Sequence, residues 1–203
     1  MQRYPVYLAC SLVILLVLAC GCTTSSASAE MAPAAAEASG TVTAASTASA
    51  TNSLTLKVGN LAPGSQLTDI HTCKGASESP GLAWDGIPEG TKSLVLILDD
   101  PDASGGTFTH WILYNIPPEK GSLAPGQTNA KVLANGAQQG DTSAGSRGYY
   151  PVCPPIGSTH RYVFSLYAVD MDIAQPTANR ESIDWALDGH TIAKTELVTT
   201  FTR

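Results

Sequence analysis

Two stretches of this sequence combine side chains that donate hydrogen bonds with side chains that carry negative charge. In the first, an apolar run leads into Asp100 and Asp102 and then, after a Gly-Gly turn, into His110. In the second, a double proline precedes His160 and Tyr162. Imidazole N–H groups and a phenol O–H can surround an oxyanion with donors, while a carboxylate can fix a histidine tautomer. If the two stretches meet, these residue types predict a preformed pocket for phosphate, a phosphomonoester or a similar small anion.

Other residues near these stretches have a structural interpretation. An Asp-Pro-Asp sequence alone is typical of a turn after a strand, and Asp102 is expected to hold that turn by accepting from backbone N–H groups. The prolines at 154 and 155 stiffen a wall of the pocket. His71 and His190 have no comparable neighbours and are predicted to be surface or packing residues. The three tryptophans are predicted to be core residues because of their large apolar area: Trp84, Trp111 and Trp185.

The segments that must position these residues have the patterns of β-strands. Ser93–Leu98 is a continuous apolar run, which predicts a central strand covered on both faces. Strands of irregular spacing, many Gly and Pro in the connections and a single short helical segment predict a mainly β protein, an antiparallel β-sandwich with one or two short helices. The other predicted strands are 54–58, 108–116, 162–169 and 191–202, and the helix is 181–187, with Asn179 or Ser182 as its cap and Gly189 as its end.

The N-terminal fifty residues do not have the pattern of a folded domain. Residues 1–22 resemble a signal peptide, because the apolar run from Val6 to Ala19 is shorter than the roughly 20 residues of a membrane-spanning helix. The run ends in a lipobox-like sequence in which either Cys20 or Cys22 is the candidate for lipidation. An uncleaved helical anchor is the alternative. Residues 23–53 are predicted to be an Ala/Ser/Thr-rich disordered linker. Residues 54–203 are predicted to form one domain, expected outside the cytoplasm as a membrane-anchored lipoprotein or in secreted form.

Charge and cysteine content limit the other function classes. The formal net charge of −6 argues against nucleic acid as a partner, because binding to phosphate backbones needs a basic face. Cys73 and Cys153 are the only cysteines after the signal segment. In an oxidising compartment they either form one disulfide or remain as two buried thiols.

The two motifs also resemble those of a known family. Asp100-Pro-Asp-Ala followed by His110, and Pro154-Pro-x-Gly-x-x-His-Arg-Tyr162, are similar to the two signature regions of the phosphatidylethanolamine-binding protein family, in its bacterial and archaeal Raf-kinase-inhibitor-like branch. The resemblance covers nearly all of residues 54–203. It departs from the family pattern at Ser104, where proline is usual, and at 150–152, where glycine is common. The resemblance implies a β-sandwich with an anion pocket made of Asp100, His110, His160 and Tyr162, with Asp102, Trp111, Pro154 and Pro155 around it.

The expected function is therefore non-catalytic binding of phosphate or a phosphorylated head group, without a cofactor. No nucleophile-base motif accompanies the histidines, so no enzyme activity is expected. The resemblance also implies inhibition or regulation of a partner protein, with an extracytoplasmic serine protease a better candidate than a kinase. A second alternative is a metal-dependent hydrolase that uses the same His/Asp cluster, because two histidines and a carboxylate can form a facial triad.

Overall fold

The computed structural model of the chain describes residues 53–175 and 178–203. The predicted signal peptide at 1–22, with Cys20 and Cys22, lies outside the described residues, as does nearly all of the predicted linker at 23–53. Among the residues described, no helix combines the length and apolar character needed to cross a membrane.

The described residues contain eight strands in two antiparallel sheets. The smaller sheet has the order β1-β2-β5, and its strands are β1 (Thr55–Val58), β2 (Leu82–Asp85) and β5 (Ser122–Leu123). The larger sheet has the order β6-β4-β3-β7-β8, with β6 (Gln138–Gln139), β4 (Phe108–Ile116), β3 (Ser93–Asp100), β7 (Thr159–Val169) and β8 (Thr191–Thr202). Short 3₁₀ turns lie at Asp69–His71 and Pro118–Lys120, and one helix, α1, spans Arg180–Leu187.

Two apolar cores cover the two faces of the larger sheet. One core lies between the sheets and includes Leu96, Trp111 and Phe164 of the larger sheet with residues of the smaller one. The other core lies between the larger sheet and α1 and includes Ile97 and Ile183. The predicted antiparallel β-sandwich is therefore confirmed, and β3 is the central strand, with its apolar residues buried on both faces.

Helix α1 begins one residue earlier than the sequence pattern predicts. The Asn179 side chain accepts from the Ser182 backbone N–H, and the Asn179 N–H donates to Ser182 Oγ, so both candidate caps take part in one capping box. The helix buries Ile183, Ala186 and Leu187 against the sheet. Trp185 lies on the opposite face and is 76% exposed, so its prediction as a core residue is wrong. A helix that packs through one stripe leaves its other positions in solvent, whatever their residue type.

A disulfide joins Cys73 to Cys153, 80 residues apart in the chain. The same two segments are also joined by hydrogen bonds. The Cys73 backbone N–H donates to the Val152 carbonyl at 3.1 Å, and Tyr149 Oη donates to the His71 carbonyl at 2.6 Å. These contacts hold residues 149–153 in place, although this segment belongs to none of the eight strands.

Removal of the disulfide should destabilise the domain. Cross-linking residues this far apart restricts the unfolded chain, and bonds of this kind contribute typically about 2–4 kcal/mol. We expect the Cys73→Ser, Cys153→Ser double variant to lose about that much free energy of unfolding in urea titrations. Mass spectrometry of a digest of the unreduced wild-type protein should contain the two cysteine peptides as one linked species. Recovery of both peptides as free alkylated thiols would contradict the bond.

Candidate ligand-binding site

Three adjacent strands of the larger sheet bring the predicted site residues together at one end of the sandwich. Asp100 is the last residue of β3, while His110 and His160 lie near the first residues of β4 and β7. Because β4 and β7 both run antiparallel to β3, their first residues lie beside its last ones. A cavity of about 440 Å³ lies there. Its lining residues are Asp100, Asp102, Ala103, Ser104, Phe108, His110, Tyr150, Pro151, Cys153, Pro154, Pro155 and His160.

His110 occupies a β-bulge. Leu98 lies opposite Trp111 and Asp99 lies opposite Thr109, so His110 has no opposite residue on β3. Across the bulge, Thr109 Oγ1 donates to Asp99 on the face that carries α1, whereas Trp111 packs between the sheets. The extra residue lets the His110 ring lie on the cavity side, where its centroid is 4.7 Å from that of Phe108. Bulges are frequent beside functional sites because they redirect a side chain in this way.

Asp100 is buried and uses both carboxylate oxygens. Oδ2 lies 2.7 Å from His160 Nδ1, and Oδ1 accepts from the Asp102 backbone N–H at 2.9 Å. Asp100, and not Asp102, therefore holds the turn that follows β3. This differs from the sequence-based expectation, because a strand-final carboxylate faces the N–H group two residues further along the chain.

Asp102 instead connects the turn to β7. Its Oδ2 accepts from the Arg161 backbone N–H at 2.8 Å, and its two oxygens accept from the Arg161 guanidinium at 3.0 and 2.7 Å. These hydrogen bonds lower the pKa of Asp102 to about 2 and raise that of Arg161. Asp102 is thus ionised and paired with a neighbouring cation.

His110 is almost completely buried and is held by the segment opposite it. Its Nδ1 lies 3.0 Å from the Tyr150 carbonyl oxygen, and the Tyr150 backbone N–H donates to the His110 carbonyl at 2.8 Å. Burial lowers the pKa of His110, and the hydrogen bond to Tyr150 opposes that shift only in part. The neutral imidazole is therefore favoured in the folded protein.

Two residues that the family resemblance places at the pocket lie behind its wall. Tyr162 is fully buried, with its ring edge-on to His110 at 5.5 Å between centroids, and it does not line the cavity. Burial and the nearby Asp100 charge raise the pKa of Tyr162, and its Oη has no hydrogen-bond partner among the described residues. Trp111 packs between the sheets and donates from Nε1 to Gln139 Oε1 at 2.9 Å. Both residues support the site through packing.

Several lining residues were not assigned to the site from the sequence. Phe108 precedes His110 by two residues, and the alternation of a strand is a signal that would have identified it. Tyr150 and Pro151 lie in an irregular segment that carries no periodic signal. Cys153 stands next to the two lining prolines, and its disulfide fixes that wall.

The metal-binding alternative requires three suitable ligands close together. Within 53–175 and 178–203, no group of three His, Cys, Asp or Glu side chains is arranged to hold a metal ion.

Comparison with known proteins identifies the family. The sequence pattern of the phosphatidylethanolamine-binding protein family matches residues 57–202. The chain belongs to this family. A UPF0098 protein of Methanothermobacter thermautotrophicus is 39% identical over 152 residues, which is 74% of this chain and 99% of the relative. A solved structure from Chlamydia trachomatis, described as a phosphatidylethanolamine-binding protein homologue, is 35% identical with a TM-score of 0.68 and covers 75% of this chain and 99% of its own.

A third relative carries a different kind of name. LppC of Mycobacterium tuberculosis, which is named as a candidate lipoprotein, is 40% identical over 130 residues. That match covers 64% of this chain and 62% of LppC. The relatives thus confirm the family resemblance, and one of them carries a lipoprotein name.

The buried position of His110 predicts a pH dependence of stability. Because its folded-state pKa lies below the unfolded value of about 6.5, the stabilising effect of neutral His110 is present above that pH and is lost as the pH falls through the folded-state pKa. We expect urea titrations in chloride buffers to give a lower free energy of unfolding at pH 5 than at pH 7. In the His110→Gln variant, the free energy of unfolding should depend less steeply on pH over this range. The slope should be smaller by up to about 1.4 kcal/mol per pH unit. An equal decline in both proteins would contradict the prediction.

Proposed function

We propose that this protein is a non-catalytic binding protein for a small phosphorylated anion and acts outside the cytoplasm. One observation carries the proposal: Asp100, His110 and His160, from three different strands, line a single cavity. A hydrogen bond joins Asp100 to His160, and His110 contacts Tyr150 in the segment that the disulfide at Cys153 holds. A preformed concave site with a few convergent polar groups is the usual form of a small-ligand site.

The cavity wall favours an anion with an organic substituent. Phe108, Tyr150, Pro151, Pro154 and Pro155 form an apolar wall next to the polar groups. An apolar wall adds burial energy only for a ligand with carbon atoms. A phosphorylated head group or other phosphomonoester fits this combination better than inorganic phosphate.

The absence of catalysis is part of the proposal. Hydrolysis through a nucleophile needs a hydroxyl or thiol within hydrogen-bond reach of a base. Ser104 lines the cavity, yet it makes no hydrogen bond to His110 or His160 among the described residues. Cys153 is oxidised in the disulfide and cannot act as a thiolate.

Two observations support a location outside the cytoplasm. The disulfide is typical of an oxidising compartment, and the relative LppC is named as a candidate lipoprotein. Together with the lipobox-like sequence around Cys20 and Cys22, they favour a domain tethered to a membrane by a lipid.

The binding site can be tested with a matched pair of histidine variants. His160→Ala should weaken the binding of phosphoethanolamine at least tenfold, because it removes a ring that lines the cavity and leaves Asp100 Oδ2 without its hydrogen bond. A hydrogen bond to a charged group contributes about 1.5–3 kcal/mol. Isothermal titration calorimetry at pH 6.5 measures the change.

His190→Ala is the control for this measurement. His190 also pairs with an aspartate, since its Nδ1 lies 2.8 Å from Asp170 Oδ1, but the pair is exposed and does not line the cavity. Its removal should leave the affinity within a factor of two of the wild-type value. Equal binding by wild type and both variants would show that the ligand binds elsewhere.

Membrane tethering predicts a processed N-terminus. Mass spectrometry of protein extracted from membranes of the native host should find a peptide that begins at Cys20 or Cys22 and carries acyl chains. Cys20→Ser and Cys22→Ser variants should identify the acylated residue, because only one of them should release the domain from the membrane. An intact Met1 in the extracted protein would contradict this processing.

A further inference from the structure

The tautomers of both cavity histidines are set by their neighbours. A carbonyl oxygen can only accept, so the 3.0 Å contact with Tyr150 O requires a proton on His110 Nδ1. His160 Nδ1 faces the Asp100 carboxylate at 2.7 Å, and the proton lies on the nitrogen because carboxylic acids are ordinarily stronger acids than imidazolium. When either ring is neutral, its remaining nitrogen Nε2 is therefore an acceptor.

These acceptor nitrogens are left for a ligand. Among the described residues, no protein group donates to Nε2 of His110 or of His160. The sequence-based interpretation treats each imidazole as a donor to an anion. The structure instead assigns the donor hydrogen of each neutral ring to a contact within the protein, so neither ring offers a hydrogen to the ligand unless it takes up a further proton.

The charges around the cavity do not favour an added dianion. Asp100 is negative, and the neighbouring Asp102 is already paired with Arg161. On the other face of β3, Asp99 is paired with Arg180 of α1. From the remaining elements, His110 faces the uncharged rings of Phe108, Tyr150 and Tyr162. It also faces the imidazole of His160, which carries a positive charge only when it is protonated.

We propose that the site takes a phosphomonoester together with a proton, in the form of the monoanion whose P–OH donates to an imidazole Nε2. It thereby selects phosphate esters over sulfate esters, which carry no ionisable O–H near neutral pH. This inference rests on the proposed function and specifies the ligand class. No covalent bond changes: one proton is shared between a phosphate oxygen and a ring nitrogen in the complex.

Proton uptake gives the inference a measurable consequence. The second pKa of a phosphomonoester is about 6, so the dianion prevails above neutral pH and must gain a proton on binding. For each proton that the complex gains on binding, the affinity falls about tenfold when the pH rises by one unit. The same dependence would not arise at a site made of permanently charged or neutral amide donors.

The test compares phenyl phosphate with phenyl sulfate, two anions with the same apolar group. At pH 7.5, calorimetry should find phenyl phosphate bound at least tenfold more tightly than phenyl sulfate. Its affinity should fall about tenfold per unit between pH 7 and 8.5. Titrations in two buffers of different ionisation enthalpy should show uptake of about one proton per ligand at pH 8.

The outcomes separate the two proposals. If neither compound binds at millimolar concentration, the proposed anion site fails, and this inference fails with it. If phenyl sulfate binds as tightly as phenyl phosphate, or phenyl phosphate binds with no proton uptake, anion binding stands and proton selection is wrong.

Two variants test whether the ring nitrogens are responsible. A glutamine amide can donate from a position close to Nε2 without titrating. His110→Gln or His160→Gln should therefore reduce the phosphate-to-sulfate affinity ratio at least threefold, whereas His190→Gln should leave it unchanged. An unchanged ratio in both cavity variants would overturn the inference. Where a variant does not fold, the wild-type comparison of the two esters decides.

Discussion

The hydrogen bond between His160 Nδ1 and Asp100 Oδ2, at 2.7 Å, joins the end of β3 to the beginning of β7 and the rest of the site depends on it. Asp100 Oδ1 holds the backbone N–H of Asp102, whose own carboxylate holds the backbone and guanidinium of Arg161. Arg161 directly follows His160 in β7. Together with the peptide bond between His160 and Arg161, these hydrogen bonds close a ring that fixes the turn after β3, which lines the cavity.

Such a ring is stable only as a unit. Transfer of a carboxylate from water into a protein interior costs several kcal/mol unless its oxygens are hydrogen-bonded, and Asp100 is only 4% exposed. Loss of one partner from a buried pair costs more than the pair contributes, because the remaining charge is left without compensation. The arrangement therefore favours a single preformed geometry of the loop, and a ligand that binds there has little ordering of the protein to oppose it.

The sequence could predict the parts of this molecule that follow a simple period or a local rule. The central apolar strand, the alternation along β7 and the cap at Asn179 are of that kind. The grouping of Asp100, His110 and His160 is not, and it was expected because the two motifs resemble those of the family. The bulge at His110 was not, because one extra residue reverses the alternation and only the partner strand reveals it. The wall at Tyr150 and Pro151 depends on contacts distant in sequence, and the exposure of Trp185 depends on which stripe of α1 meets the sheet.

The balance of charges explains why the site should discriminate by hydrogen-bond pattern and not by net attraction. The chain carries a net charge of −6, and Arg161, which follows the cavity residue His160, is paired with Asp102. Attraction to an anion through the general field is therefore weak, and a dianion would also meet the Asp100 charge. In the proposed binding mode, one oxyanion differs from another in whether it supplies a hydrogen to Nε2 of His110 or of His160, which has none to offer while its ring is neutral. A ligand that does so satisfies the acceptor that it covers. A ligand without such a hydrogen covers the acceptor and leaves it unsatisfied, which lowers the affinity.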